Sequence, residues 1–312
     1  MLTIFSTPKP FLGHIDVIQR NAIQSWKRID PNVEIILFGD EEGTAAVAHE
    51  FGLLHVPTVP KNEHGTKLLR GFFEPAQSVA RYDLLCYINC DIMMLPSFAD
   101  SVRRVAGCFP RFLMVGQRWN TDVLEPWNFS CADWDKQLVR FVSERGSLLD
   151  ETGIDYFVFP RGLYQNMPAL VIGRIWWDHW LIWRARSLGA PVVNATQVVM
   201  AVHQNHDYSY HPAGAAGVWQ DEQSKKNYEL AGGRRHLYTI ADSTHRLTTA
   251  GIERNPLYPL SPLRRATRPY IVPAWYKFLE LTQPVRRKLG LQRRAQLKRP
   301  AGPSETARQA EE

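Results

Sequence analysis

The chain has 312 residues, 45% apolar, 22% charged and 11% aromatic, which is enough for one substantial core or two small domains. This composition excludes a disulfide-stapled miniprotein, a coiled rod and a mainly disordered chain. The formal charge of +6 is unevenly placed: residues 254–312 carry 13 Lys or Arg against 4 Asp or Glu, and residues 1–253 carry 24 against 27. The main body is therefore slightly acidic, which argues against a phosphate-tracking groove and hence against a nucleic-acid partner.

In chain order, short apolar runs alternate with amphipathic stretches, the pattern of an α/β fold. Thr3 to Ser6 reads as a first strand, 14–28 as a helix carrying Ile15, Ile18, Ala22, Ile23 and Trp26 on one face, and Val33 to Phe38 as a buried strand. Ala45 to Phe51 predicts a short helix, Leu53 to Val56 a strand and Thr66 to Ala80 another helix. Leu84 to Ile88 then has the unbroken apolar character of a central parallel strand. Further on, Phe98 to Cys108, Ala132 to Glu144 and Trp177 to Leu188 read as helices. Phe112 to Val115, Tyr156 to Phe159, Val192–Val193 and Val198 to Val202 read as strands.

There is no internal repeat. The expected main domain covers 1–250, and 251–312 forms a Pro-rich basic C-terminal extension whose last part is expected to be disordered. Its aromatic and apolar residues suit docking on the main domain, and its Arg and Lys residues suit an anionic membrane surface. The four cysteines lack zinc-site spacing and fit a reducing compartment. No run is long enough to span a bilayer, and MLTIFSTPKPF has no basic region followed by a long apolar stretch. The expected location is cytoplasmic, including the cytoplasmic face of the membrane; nothing here predicts an oligomeric state.

Three stretches carry chemistry. In YINCDIMM, Asn89 and Asp91 lie two apart at the end of a buried strand, so both face one crevice at the position where open α/β sheets bind ligands. Asp91 suits a hard divalent cation such as Mn or Mg, and Asn89 offers a weaker oxygen. In VVMAVHQNHDY, His203 closes a strand and His206 follows in a polar turn, so either imidazole can complete a metal shell begun by Asp91. Zinc on His203, His206, Asp207 and His211 is a competing reading, although the spacing is not that of a zincin helix. In GRIWWDHWLIWRAR, Asp178 lies near a helix start, fitted either to cap that helix or to act as a general base. The neighbouring tryptophans suit a sugar's apolar face or the core.

Weaker candidates are Asp155, for sugar hydroxyls, Lys67 with Arg70, for a diphosphate, and Asp40, for a base or ribose.

Together these residues resemble the nucleotide-sugar-dependent glycosyltransferases of the GT-A fold. The likeness is carried by IFSTPKPF, ILFGD, Asn89-Cys90-Asp91 as a variant of the Asp-x-Asp motif, the WWD helix start and His203, and spans roughly residues 1–245. YIN-x-DI, GIDYFVFPRG and HQNHDYS also look like blocks of bacterial glycosyltransferase-like sequences. The resemblance implies a single GT-A-like domain with a Rossmann-like mixed sheet flanked by helices. It implies Asp91 as the metal-linked aspartate with Asn89 replacing its partner, Asp178 as the base of an inverting transfer, and His203, or else His206, as the late metal ligand. It places Thr7 and Asp40 near the nucleotide and Lys67 loosely beside it. The implied partners are a nucleotide-diphosphate sugar donor and a hydroxyl acceptor on a glycan, glycolipid or other molecule, within cell-surface polysaccharide synthesis.

Rivals are unequal. No G-x-G-x-x-G follows an early strand and no P-loop is present, so a dinucleotide dehydrogenase and a P-loop enzyme lack support. A metal-dependent phosphoester or glycoside hydrolase built on the same Asp and His residues stays open, as does a non-catalytic carbohydrate-binding protein.

Overall fold

The computed structural model describes residues 1–206, 221–267, 271 and 282. Strand β1 (Thr3–Ser6) leads into helix α1 (Gly13–Trp26), followed by β2 (Glu34–Phe38), α2 (Thr44–Phe51), β3 (Leu54–Val56), α3 (Arg70–Val79) and β4 (Leu84–Ile88). The next elements are β5 (Ile92–Met94), α4 (Ser97–Cys108), β6 (Leu113–Val115), β7 (Arg118–Thr121), α5 (Trp134–Arg145), β8 (Ser147–Leu148) and β9 (Tyr156–Pro160). Last come α6 (Trp177–Ser187), β10 (Val192–Asn194), β11 (Ala201–Gln204), α7 (Glu222–Leu230), β12 (His245–Leu247) and β13 (Ile252–Arg254).

A nine-stranded mixed sheet in the order β13-β12-β10-β6-β9-β4-β1-β2-β3 forms the centre, which is the helix-flanked mixed α/β sheet expected from the sequence. Alternation along each strand explains its two covered faces. Phe5, Leu85, Tyr87, Phe157 and Phe159 point to one side and pack with Phe72 and Phe73 of α3 and Trp177 and Leu181 of α6. Ile4, Cys86, Ile88, Tyr156 and Val158 point to the other and pack with Ile23 and Trp26 of α1 and Phe98 of α4. Trp177 and Trp180 belong to this core, so of the tryptophans at the α6 start only Trp176 is left half-buried.

The β4 segment coincides with its expected range, but its surroundings are not purely parallel: it pairs parallel with β1 and antiparallel with β9. Helix α3 starts at Arg70 rather than Thr66, because Lys67 and Leu68 bridge to Lys61 and Val171 before the helix begins. The strand expected over Val198 to Val202 is displaced to Ala201–Gln204. There it joins β5, β7 and β8 in a second sheet of order β5-β11-β7-β8, which sequence periodicity did not reveal. Two of those strands have only two or three residues, too few for a period to show.

The main sheet also passes the expected boundary at residue 250. β13 pairs antiparallel with β12 through Arg246↔Glu253, and the Arg246 guanidinium meets the Glu253 carboxylate across that pair at 2.8 Å. The expected zinc participants Asp207 and His211, and most of the C-terminal extension, lie outside the described residues.

Candidate active site

The carboxyl ends of β1 and β4, the β9 entry and the start of α6 converge on a cavity of about 1190 Å³. Thr7, Lys67, Asn89, Asp91, Asp155, Asp178, His203 and His206 all line it. That volume exceeds the usual range for a small-ligand pocket.

Pairing between β5 and β11 builds the first cluster. His203 lies opposite Ile92, and the Gln204 backbone N–H donates to the Asp91 carbonyl, so two segments over a hundred residues apart meet at Asp91. His206 Nε2 is 3.1 Å and His203 Nε2 3.9 Å from Asp91 Oδ2, and one ligand atom from each residue lies within 4.8 Å of the others. Asp91 Oδ1 is sealed from solvent without a hydrogen-bond partner. Burial alone would raise the Asp91 pKa, but His203, His206 and Lys9 outweigh it and hold the carboxyl well below the usual carboxylate range. Burial, reinforced by Arg118, lowers His203 to about 4 despite Asp91, so its imidazole is neutral near pH 7 and has a lone pair to give. One carboxylate and two imidazoles are a donor set that fits a divalent metal ion.

Asn89 is arranged differently. Its Oδ1 accepts from Tyr87 Oη at 2.8 Å and its Nδ2 donates to Asp155 Oδ1 at 2.6 Å, so both ends of the amide are engaged. Asp155, 5% exposed, also receives Arg118 Nη1 at 2.9 Å on each oxygen. Asn89 and Asp155 thus belong to a hydrogen-bonded floor in which Arg118 neutralises the carboxylate. The sequence reading missed Arg118, and no local signal marks it: β7 was not recognised as a strand, and its partner Asp155 is 37 residues away.

Asp178 is the second residue of α6 and faces the same cavity as Asp91. The residue before the helix is Trp176, at φ +87°, so Asp178 is inside the first turn rather than at the capping position. Its Oδ1 is sealed without a hydrogen-bond partner. Burial raises its pKa, with nearby Asp155 adding to the rise and His179 and helix-start amides opposing it. A carboxylate whose proton affinity is raised, and which has no ion pair among the described residues, is suited to accept a proton.

Beside the β1 end, Lys67 Nζ donates to Thr7 Oγ1 at 2.5 Å and to the Glu41 carboxylate. Gly39, at φ +115°, makes this approach possible: a Cβ there would lie 2.3 Å from Lys67 Nζ. Asp40 does not line the cavity; it is exposed and pairs with Lys61 at 3.0 Å. The next residue, Glu41, does line the cavity and gives the buried Lys67 ammonium its counter-charge. Arg70 is exposed and does not line the cavity either. Lys9, missed by the sequence reading, brings its ammonium within 3.1 Å of His206 Nε2.

No family model matches the chain, and no curated protein matches it in sequence. Among solved structures it is similar to glucosyl-3-phosphoglycerate synthase from Mycobacterium tuberculosis in complex with Mn2+, uridine diphosphate and phosphoglyceric acid. That match has 12% identity and a TM-score of 0.44 over 75% of this chain and 79% of that one. It is also similar to a mannosyltransferase from Pyrobaculum calidifontis in complex with GDP-Man and Mn2+, at 12% identity and a TM-score of 0.39 over 65% and 56% of the two chains. A third is S. aureus TarS 1-349, at 8% identity and a TM-score of 0.38 over 66% and 58%. The chain thus spans less than two thirds of the last two. At these identities and TM-scores neither activity nor substrate passes from those proteins to this one.

Proposed function

We propose that the protein is an inverting glycosyltransferase that moves a sugar from a nucleotide-diphosphate donor to an acceptor hydroxyl. The observation that carries this reading is that Asp91, with its two histidines, and Asp178, with no ion pair among the described residues, open onto one cavity large enough for donor and acceptor together. The sequence resemblance assigns these same residues to the donor phosphates and to the base.

Asp91, His203 and His206 would hold the divalent metal, Mn or Mg by the resemblance, which when bound neutralises negative charge on a diphosphate. Thr7, Glu41 and Lys67 form the wall expected to meet the nucleotide. Asn89 and Asp155 act through the floor, keeping the β4 end and the β9 entry in register beneath the sugar. Asp178 takes the proton of the acceptor hydroxyl as that oxygen forms its bond to the anomeric carbon. The bond from that carbon to the diphosphate breaks on the opposite face, and its electron pair leaves with the diphosphate. The acceptor belongs to a glycan, glycolipid or similar molecule in cell-surface glycan synthesis.

The test is a nucleotide-sugar binding screen with and without manganese, followed by analysis of the anomeric configuration of the product. Asp178→Asn is expected to keep donor binding and to lose transfer by roughly 10²- to 10⁴-fold. Unchanged turnover in that variant removes the assigned base, and retained configuration removes the inverting class. Efficient cleavage of an acceptor-like substrate without nucleotide sugar points to a hydrolase instead. Sugar binding with no donor turnover points to a binding protein.

A further inference from the structure

The segment that follows β13 carries both cavity-lining and exposed apolar residues. Residues 258–260 form a 3₁₀ turn and 261–267 a helical stretch. Arg264, Thr267 and Ile271 line the cavity that holds Asp178. Leu257, Leu260 and Leu263, spaced by three, do not line it and are 51%, 51% and 62% exposed. Elsewhere the exposed large apolar side chains of the described residues are scattered through the chain; here three lie within seven residues. Single exposed leucines are ordinary, and a row of them is not.

Polar residues of the same segment pin it to the protein. Arg186 bonds the Tyr258 hydroxyl and stacks its guanidinium over the ring at 4.9 Å. Arg264 pairs with Glu151 at 3.1 Å, and Arg265 pairs with Asp242 and lies over the Tyr238 ring at 4.1 Å. Arg234 donates to the Ala266 carbonyl at 3.0 Å. These contacts fix which side of the segment faces the protein and leave the leucines turned away from it. From residue 254 onward the sequence carries 13 basic against 4 acidic residues. An apolar row continuous with a strongly cationic stretch is complementary to a surface that is both apolar and anionic.

We infer that the Leu257, Leu260 and Leu263 row seats on an anionic lipid bilayer and that the cavity mouth beside Ile271 is thereby held at the membrane. Resting on the transfer reading, this makes the acceptor a membrane-held amphiphile, its hydroxyl presented to Asp178 and its apolar part left in the bilayer. The docking itself does not depend on that reading, because it involves none of the residues assigned to chemistry.

The experiment is flotation of the full chain with phosphatidylcholine vesicles containing phosphatidylglycerol, against pure phosphatidylcholine vesicles. Binding to the first and not the second is expected, weakening as salt is raised. Changing the three leucines to serine is expected to lower the partition coefficient by about tenfold or more, since the loss of even one well-buried leucine side chain costs that much. Circular dichroism and donor binding should be unchanged in the variant, as all three positions are exposed. Binding to both vesicle types alike, binding to neither, or binding indifferent to the leucines overturns the inference. So does a variant whose only change is the loss of self-association, which would assign the row to a second copy of the chain. A failed transfer assay leaves the flotation result standing, and the reverse also holds.

Discussion

The floor of the cavity and its two walls treat buried carboxylates in opposite ways. On the floor, Asp155 is closed in by Arg118 and Asn89 and has a bonded partner at each oxygen. On the walls, Asp91 and Asp178 each keep one oxygen sealed from solvent and unmatched. A buried polar atom without a partner costs about 1–3 kcal/mol. The difference separates a carboxylate engaged at both oxygens from two that each keep one oxygen unmatched. Sequence position does not make that distinction, since all three are acidic residues at element ends.

Breaking the walls should change chemistry and leave folding intact, and the largest effect expected is the loss of transfer in Asp178→Asn described above. Breaking the floor should do the reverse. Arg118→Met leaves the Asp155 charge buried and unpaired, with an expected destabilisation of about 3–5 kcal/mol measured by chemical denaturation. Adding Asp155→Asn to that variant removes the charge and should restore part of the loss, whereas additive losses would show the pair to be independent. The group of Asp91, His203 and His206 sharpens the comparison further. Titration of Mn2+ followed by the magnetic resonance of the free ion should show Asp91→Asn weakening binding by at least about tenfold, since losing even a group that only orients a ligand costs that much. Asp40→Asn, at the surface ion pair, should leave the titration unchanged.

A smaller effect concerns stability against pH. Because burial raises the Asp178 pKa in the folded chain above its unfolded value, the folded state favours the protonated form. The resulting stability is present in full below the unfolded pKa and is lost as pH rises through the folded one. Asp178→Asn, which does not titrate, should therefore melt higher than the parent protein at neutral pH, with the gap closing in acid. Equal melting temperatures across that range would mean the carboxylate is solvated after all. If Asp178 is the base, the acid limb of the parent enzyme's rate profile lies above the ordinary Asp range for the same reason.

Much of the framework was legible from residue order. The apolar run Leu84 to Ile88 is β4 without adjustment, and the helical spacing from Trp177 gives α6 to within one residue at its end. Both are regular elements whose side chains repeat over a full turn or several alternations, so the period itself locates them. Asp91 was expected at the edge of the sheet where open α/β sheets bind ligands, and the structure shows that Asp178, at the start of α6, lines the same cavity.

Asp40 and Glu41 show where this reasoning stopped. Adjacent acidic residues in one turn look equivalent in sequence, yet only Glu41 meets the buried Lys67, because a glycine with positive φ lets that ammonium press against the turn. Residue order by itself determined the alternation of strands and helices, the acidic main body with its cationic extension, and the identity of the residues at the ends of β4 and α6. Tertiary structure alone decided which acids are neutralised and which are left open. That depends on pairings between distant segments, β5 with β11 and Arg118 with Asp155, whose members carry no local pattern pointing to one another.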